Sequence, residues 1–341
     1  MKGLGAKSIL GERALGATER RTGAYKNVRE DSSTGATTRA PDKIGNRTES
    51  KAGFVALIGA TNSGKSTLVN AMMGEHLSIT SHKVQTTRFQ VRGVKNIGGT
   101  QIVFVDTPGV FAAKSRFDRA MVSSALSAMN DSDAVVVVVD AKKGLTPTFA
   151  RMVEKLRTVR SPIAVALNKT DAVKKTELLG LAKEISDAAP GLFEETFMIS
   201  ALRGDGVDAL LAWAKSKMPE SEWYFGAGEA SDLPLPVRLA EITREKVYEY
   251  LHQELPYSIA VATDSVDGAN VGQTIYASGE NHKSMILGAR GSKIKAIGTA
   301  ARIDMERLLG RRINLRLLVK VKKDWRETPE FFRSIGLEYK K

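Results

Sequence analysis

Gly59-Ala60-Thr61-Asn62-Ser63-Gly64-Lys65-Ser66 decides the fold. It fits G-x-x-x-x-G-K-[ST], the phosphate-binding loop. The short apolar run Phe54 to Ile58 precedes it with strand character. Thr67 to Met73 follows with helix character and stops at Gly74. Strand, glycine-rich loop and helix are what polyphosphate binding requires. Glycines let backbone N–H groups turn inward, and the helix N-terminus adds partial positive charge. In this arrangement Lys65 reaches the β- and γ-phosphates, and the Ser66 hydroxyl ligates Mg²⁺. The backbone from Gly59 to Thr67 is expected to cradle the nucleotide.

Outward from this loop, Gly53 to about Met218 alternates strand and helix patterns. Ile102 to Val105, Ala134 to Val139, Ile163 to Leu167 and Phe197 to Ile199 read as strands. The unalternating valines of 134–139 predict burial on both faces. Helix faces are expected at Phe117, Met121, Ala125, Ala128 and Met129; at Phe149, Met152, Val153, Leu156 and Val159; at Leu178, Leu181, Ala182 and Ile185; and at Val207, Leu210, Leu211 and Ala214. The pattern predicts an α/β domain, a mostly parallel sheet with helices on both faces. Ligands bind such sheets at the carboxyl ends of the strands.

The polar motifs fall at those ends. Asp106-Thr107-Pro108-Gly109 follows a strand; Asp106 can hold Mg²⁺ and the Gly109 N–H can contact a γ-phosphate. Asn168-Lys169-Thr170-Asp171 follows another. Asp171 can accept from both N1–H and N2–H of guanine, a donor pair adenine lacks. Asn168 can bond the base edge, and the Lys169 stem can lie along the base plane. Ser200-Ala201-Leu202 follows a third strand, where the Ala201 N–H can meet guanine O6. Between the first loop and Asp106, the Ser/Thr-rich stretch Ile79 to Arg88 can close over Mg²⁺. Thr87 is the expected ligand, with Thr86 as the alternative. The candidate Mg²⁺ set is therefore Ser66, Thr87 and Asp106. The candidate catalytic set is Lys65, Thr87, Gly109 and Asn62.

Composition limits the partners. The chain has 341 residues, about two domains' worth, and a net charge of +13. That charge points to an anionic partner, nucleic acid or an acidic membrane surface. There are no cysteines. Disulfides, thiolate metal sites and cysteine nucleophiles are therefore excluded. The longest strongly apolar run, Ala134 to Val139, is far too short to span a bilayer. Residues 1–52 are rich in Gly, Thr, Arg and Ser and carry more basic than acidic residues. They read as a disordered tail rather than a transit peptide, which would be poor in acidic residues.

From about Gly53 to Arg326 the chain resembles the translation-factor-related GTPases of the Era family. The resemblance rests on Gln85-Thr86-Thr87-Arg88, Asp106 to Gly109 and Asn168 to Asp171. It also rests on Glu241-Ile242-Thr243-Arg244-Glu245-Lys246 followed by Glu254-Leu255-Pro256-Tyr257-Ser258. Residues 219–235 read as a linker and 236–335 as a second, smaller α+β unit, with 336–341 a tail. A helix is expected over Val237 to Glu254. Strands are expected over Ser258 to Thr263 and Gln273 to Ser278, around a turn at Asp267-Gly268. A helix then runs from Ser292 to Leu309, and a strand from Ile313 to Val321. Gly288-Ala289-Arg290-Gly291 between two helices is the loop of a type II KH domain, which clamps about four nucleotides. Ile286, Gly288, Ala289, Arg290, Gly291, Lys293 and Lys295 are the expected RNA contacts. Residues 281–341 hold 16 Lys plus Arg against 6 Asp plus Glu.

The resemblance implies a slow GTPase that binds GTP and GDP with Mg²⁺. It implies binding to the 3′ end of 16S-type ribosomal RNA in the small ribosomal subunit. At the position of the water-orienting Gln of Ras-like enzymes stands Val110, which cannot hydrogen-bond water. The family's Asn at the Asn62 position implies K⁺ as a second cation. Ala60, Thr61 and Ser63 replace the family's usual Arg, Pro and Val. A scaffold with structural nucleotide and a peripheral membrane GTPase are the alternatives. A tRNA-modifying relative is disfavoured, because those enzymes end in a cysteine-containing motif. The expected form is a monomer in the cytoplasm. Contact with the anionic inner membrane is the variant of that expectation, and an organelle the location in a eukaryote.

Overall fold

A computed structural model describes residues 50–80, 87, 90–109, 116–251 and 259–323. Strand β1 (Lys51–Gly59) lies in the middle of a six-stranded sheet. It pairs in parallel with β3 (Thr100–Asp106) on one side and β4 (Ala134–Asp140) on the other. β5 (Ile163–Asn168) and β6 (Glu195–Met198) continue the parallel array. The order is β2-β3-β1-β4-β5-β6. Every residue of β4 is buried, as a strand covered on both faces must be.

The antiparallel edge strand β2 (Val91–Ile97) is an element that the sequence reading lacked. Its apolar residues Val91 and Val94 are broken up by Arg92, Gly93 and Lys95, so no strand period stands out.

Helices α1 (Lys65–Met73), α2 (Arg116–Asp131), α3 (Pro147–Leu156), α4 (Lys175–Ala188) and α5 (Val207–Ser216) cover the sheet. α1 stops where Gly74 turns left-handed at φ 73. α3 starts on Thr146, whose side chain accepts from the Phe149 N–H, with Pro147 in the first turn. Phe149, Met152, Val153 and Leu156 are buried as expected, but Val159 lies beyond the helix end and is half-buried. Met121, Ala125, Ala128 and Met129 are buried on α2, while the side chain of Phe117 is outside the described residues.

The stretch read as a linker is docked along its length. Gln101, fully buried, accepts at Oε1 from the N–H groups of Tyr224 at 2.8 Å and Phe225 at 3.0 Å. Its Nε2 donates to the Phe225 carbonyl at 2.9 Å. Further along, the Val94 N–H donates to Ala230 O at 2.9 Å, and Arg92 pairs with Asp232 at 2.7 Å. This strap occupies backbone groups that an edge strand otherwise leaves open.

The second unit opens with α6 (Leu235–Tyr250). β7 (Ile259–Asp267), β8 (Asn270–Ala277), α7 (Glu280–Leu287), α8 (Ser292–Leu309) and β9 (Asn314–Val321) follow. β7 and β8 are antiparallel and β8 and β9 parallel, in the order β7-β8-β9. Val247, Tyr248, Ile259, Ile275, Ile286 and Ile297 form its core. α6 ends at Tyr250 rather than at Glu254, and Leu251 is extended.

Successive residues of α6 take different partners. The Thr243 hydroxyl donates to Gln273 Oε1 at 2.6 Å. Arg244, 2% exposed, is held by Glu241 and donates to the Tyr248 hydroxyl at 2.9 Å. Lys246 pairs with Asp304 of α8 at 2.8 Å. Glu245 turns the other way, to the first domain, where it accepts from the Thr80 N–H at 2.9 Å and meets His76 at 3.2 Å.

Most of the expected tail, residues 1–49, lies outside the described residues, as do Thr86, Val110, the stretch Glu254 to Ser258, and 324–341.

Candidate functional site

The strand-end motifs converge on the loop between β1 and α1. Gly64 has φ +96, and a Cβ there would fall 2.2 Å from Asn168 Nδ2, so the loop and the Asn168 turn touch with no room for a side chain. Asn62 is also left-handed, at φ 62. Gly109, buried, lies against Thr61. Lys65 is 6% exposed, and its ammonium donates to the carbonyls of Ala60 at 3.0 Å and Gly59 at 3.3 Å. Burial pushes the Lys65 pKa down to about 8, and the nearby Asp106 opposes the shift.

Ser66, Thr87 and Asp106 meet beside it. Ser66 Oγ and Thr87 Oγ1 share a hydrogen bond of 2.9 Å, and Thr87 Oγ1 donates to Asp106 Oδ2 at 3.2 Å. Asp106 is fully buried, and its Oδ1 has no hydrogen-bond partner. Burial raises its pKa, against the Lys65 charge. An orphaned buried carboxylate oxygen with two hydroxyls alongside fits a hard cation with oxygen ligands. Among the described residues no group of three or more His, Cys, Asp or Glu could hold a metal by itself. The donor set therefore suits Mg²⁺ bound together with substrate phosphates. Thr107 faces inward instead; its hydroxyl donates to Leu57 O at 2.7 Å and braces the loop on β1. Pro108 is buried and Thr67 half-buried on α1.

At the next strand ends Asn168, expected at the base edge, is 2% exposed. Its Nδ2 donates to Ser63 O at 2.9 Å, while its Oδ1 accepts from the N–H of Lys169 at 2.8 Å and of Ala201 at 3.0 Å. It fastens three loops together, because a buried amide must satisfy its own donors and acceptor. The Ala201 N–H, expected at guanine O6, points at this amide.

Asp171 is exposed, and its carboxylate accepts from the Ser200 hydroxyl at 2.7 Å, which holds its pKa below the usual range. Leu202 is 79% exposed. Lys169 is left-handed at φ 68, and its ammonium donates to Asn62 O at 2.7 Å and pairs with Asp140 at 2.6 Å. Asp140 is a site residue the sequence reading missed. Its signal was a carboxylate at the carboxyl end of a fully buried strand.

In the second unit, Gly288 (φ 69) and Gly291 (φ 77) bracket a one-turn 3₁₀ helix that opens α8. A Cβ on Gly288 would fall 2.8 Å from Lys293 Cγ, so the loop packs tightly on α8. Ala289, Arg290, Lys293 and Lys295 are exposed around it. Ile286 is not: it is fully buried in the core, so it supports the loop and has no face for RNA. Lys295 also lines an open groove of about 460 Å³ with Tyr250 and Ile303.

A phosphate cradle with strand-end loops for Mg²⁺ and guanine, followed by a Gly-x-x-Gly unit on a three-stranded sheet, defines a P-loop GTPase joined to a KH domain. A family model described as 50S ribosome-binding GTPase matches residues 54–169, and a KH domain model matches 246–326. GTPase Era of Mesorhizobium japonicum is 46% identical over 292 residues, 84% of this chain and 94% of that protein. GTPase Era of Dinoroseobacter shibae is 45% identical over 303 residues, 86% and 98% of the two chains. The solved structure of Era in complex with MgGDPNP and nucleotides 1506–1542 of 16S ribosomal RNA superposes with a TM-score of 0.81 at 36% identity, covering 84% of this chain and 99% of that one. A single-substitution variant of Aquifex aeolicus Era bound to GDP·AlF4⁻ gives 0.80 at 36% identity, with the same coverage. The chain belongs to the Era family of GTPases.

Proposed function

We propose that this protein is a GTP-hydrolysing, RNA-binding switch that acts in small-subunit assembly at the 3′ end of 16S-type ribosomal RNA. The observation that carries the reading is its likeness, over 84% of its length, to an Era structure holding MgGDPNP and that RNA.

Lys65 loses its carbonyl partners to the β- and γ-phosphates and regains full charge there. Ser66, Thr87 and Asp106 present oxygens to Mg²⁺, which supplies positive charge to the phosphate oxygens when bound. Thr87 orders its loop through that contact, and the Gly109 N–H faces the γ-phosphate. Asp171, held ionised by Ser200, accepts the two guanine donors. Asn168 sets the distance between the base-reading loop and the phosphate loop. At residue 110 the chain has valine rather than a water-orienting glutamine, so intrinsic hydrolysis is slow. Asn62 is the residue that would hold a monovalent cation, K⁺, which would supply positive charge beside the phosphates.

Gly288 to Gly291, with Arg290, Lys293 and Lys295, clamps the RNA backbone. The protein acts as a monomer in the cytoplasm. Its basic surface also suits peripheral contact with the anionic inner membrane, which sedimentation with anionic liposomes at physiological salt tests.

Lys65→Ala tests the switch. The variant should lose nucleotide, keep its RNA affinity and fail to support subunit assembly. If it supports assembly, the protein is a scaffold with structural nucleotide.

A further inference from the structure

We propose that Asp140 is a positioning residue for the guanine nucleotide, acting through Lys169. The inference rests on the guanine-nucleotide reading of the site.

Asp140 ends β4 opposite Asn168 of β5 in the sheet register. It is 7% exposed, and its backbone is fixed by the tight turn that follows. The N–H groups of Lys143 and Gly144 donate to its carbonyl at 3.0 and 3.1 Å, and the Lys142 N–H donates to its Oδ1 at 3.0 Å. Its Oδ2 is thereby aimed at the Lys169 ammonium, 2.6 Å away.

Lys169 needs such an anchor. A lysine side chain has a flexible stem and a point charge, with no rigid fork to direct it. Ordering it costs rotamer freedom. Its backbone is already in the rare left-handed region, tied down by Asn168 Oδ1. From there the stem runs to the phosphate loop, where the ammonium also donates to Asn62 O at 2.7 Å. Asp140 and Asn62 O together fix the stem along the plane where the base lies, and they tie the phosphate loop to the base-reading loop. A nucleotide that spans Asp171 and Lys65 needs that spacing set before it binds. Asp140 neither reaches the γ-phosphate loop at Gly109 nor reads the base edge. GTP and GDP should therefore depend on it equally, and base preference should not.

The test is a binding cycle with fluorescent GDP and GTP analogues. It uses the full chain, Asp140→Ala, Asp140→Asn, Lys169→Ala and the Asp140→Ala/Lys169→Ala double variant, each with its melting temperature. Asp140→Ala should weaken both nucleotides by the same factor, about tenfold, and adding it to Lys169→Ala should cost no further affinity. Asp140→Asn keeps an acceptor for the Lys142 N–H and should recover part of the loss. If Asp140→Ala does not fold, Asp140→Asn in both backgrounds carries the cycle. Undiminished affinity in the single variant overturns the inference, as does a full further loss on the Lys169→Ala background. If the parent chain binds no guanine nucleotide, the site reading fails and the inference falls with it.

Discussion

Glu245 of α6 accepts the backbone N–H of Thr80 at 2.9 Å and its hydroxyl at 3.3 Å, although the two residues lie 165 positions apart. Thr80 lies seven residues before Thr87, the expected Mg²⁺ ligand, so the first helix of the second unit holds the chain shortly ahead of that residue. His76 meets the same carboxylate at 3.2 Å, and Arg238 lies 3.8 Å from Glu75. This is a physical route by which two binding sites can share free energy, and such coupling is reciprocal. Glu245→Ala should therefore shrink the difference in RNA affinity between the GTP-analogue and GDP states, at a stability cost of about 1–3 kcal/mol. RNA titrations in each nucleotide read the first effect and thermal melts the second. An unaltered affinity ratio removes Glu245 from the coupling.

Lys65 predicts a proton signature. With a pKa near 8 in the nucleotide-free protein, it is partly neutral in mildly alkaline solution. Phosphates restore its charge, so GTP binding at pH 8 should take up protons. Calorimetry in two buffers of different ionisation enthalpy measures this, and equal heats in both would contradict it. The sign for folding follows from the same shift. Between about pH 8 and the ordinary lysine value of 10.5, the unfolded chain holds a proton that the folded chain has released. Over that window this group makes the nucleotide-free protein more stable as pH rises.

Base selection is expected to rest on Asp171. Asp171→Asn replaces an acceptor pair with one acceptor and one donor, which matches xanthine rather than guanine. The variant should weaken GTP by a factor of about 100 or more and favour XTP, since a site built for hydrogen bonds strongly rejects the wrong partner. Competition binding of the two nucleotides checks it; retained guanine preference would take the reading away from Asp171.

Gly288→Ala separates the two domains' functions. The new methyl would collide with Lys293 at 2.8 Å in a left-handed backbone. The loop should distort, and RNA affinity should fall about tenfold or more, with GTP binding intact. A filter-binding assay beside a nucleotide titration shows whether the two losses separate.

Much of this was legible because the motifs depend on backbone geometry. A glycine-rich loop after Phe54 to Ile58 admits few folds, and the valines of β4 could only be a doubly covered strand. The Gly-x-x-Gly of the KH loop was legible for the same reason. What escaped depends on tertiary partners. β2 is held by pairing with β3 and by the strap over its edge, and its own sequence has no period to show it. The strap itself looked like a linker because prolines and glycines mark loops, docked or free. Gln101, the residue that docks it, lies more than 100 positions upstream of Tyr224 and Phe225. The contacts of the Asn168 amide to Ser63, Lys169 and Ala201 also depend on tertiary neighbours and have no signature in the Asn-Lys-x-Asp motif. Ile286 sat inside the RNA motif by position, yet its side chain belongs to the core.

The most direct test of the switch is GTP hydrolysis in K⁺ buffer with Mg²⁺, with and without a short RNA copying the 3′ tail of 16S-type ribosomal RNA. The account predicts slow hydrolysis alone and clear stimulation by the RNA, abolished by Gly288→Ala. Tight RNA binding with no change in hydrolysis would contradict it.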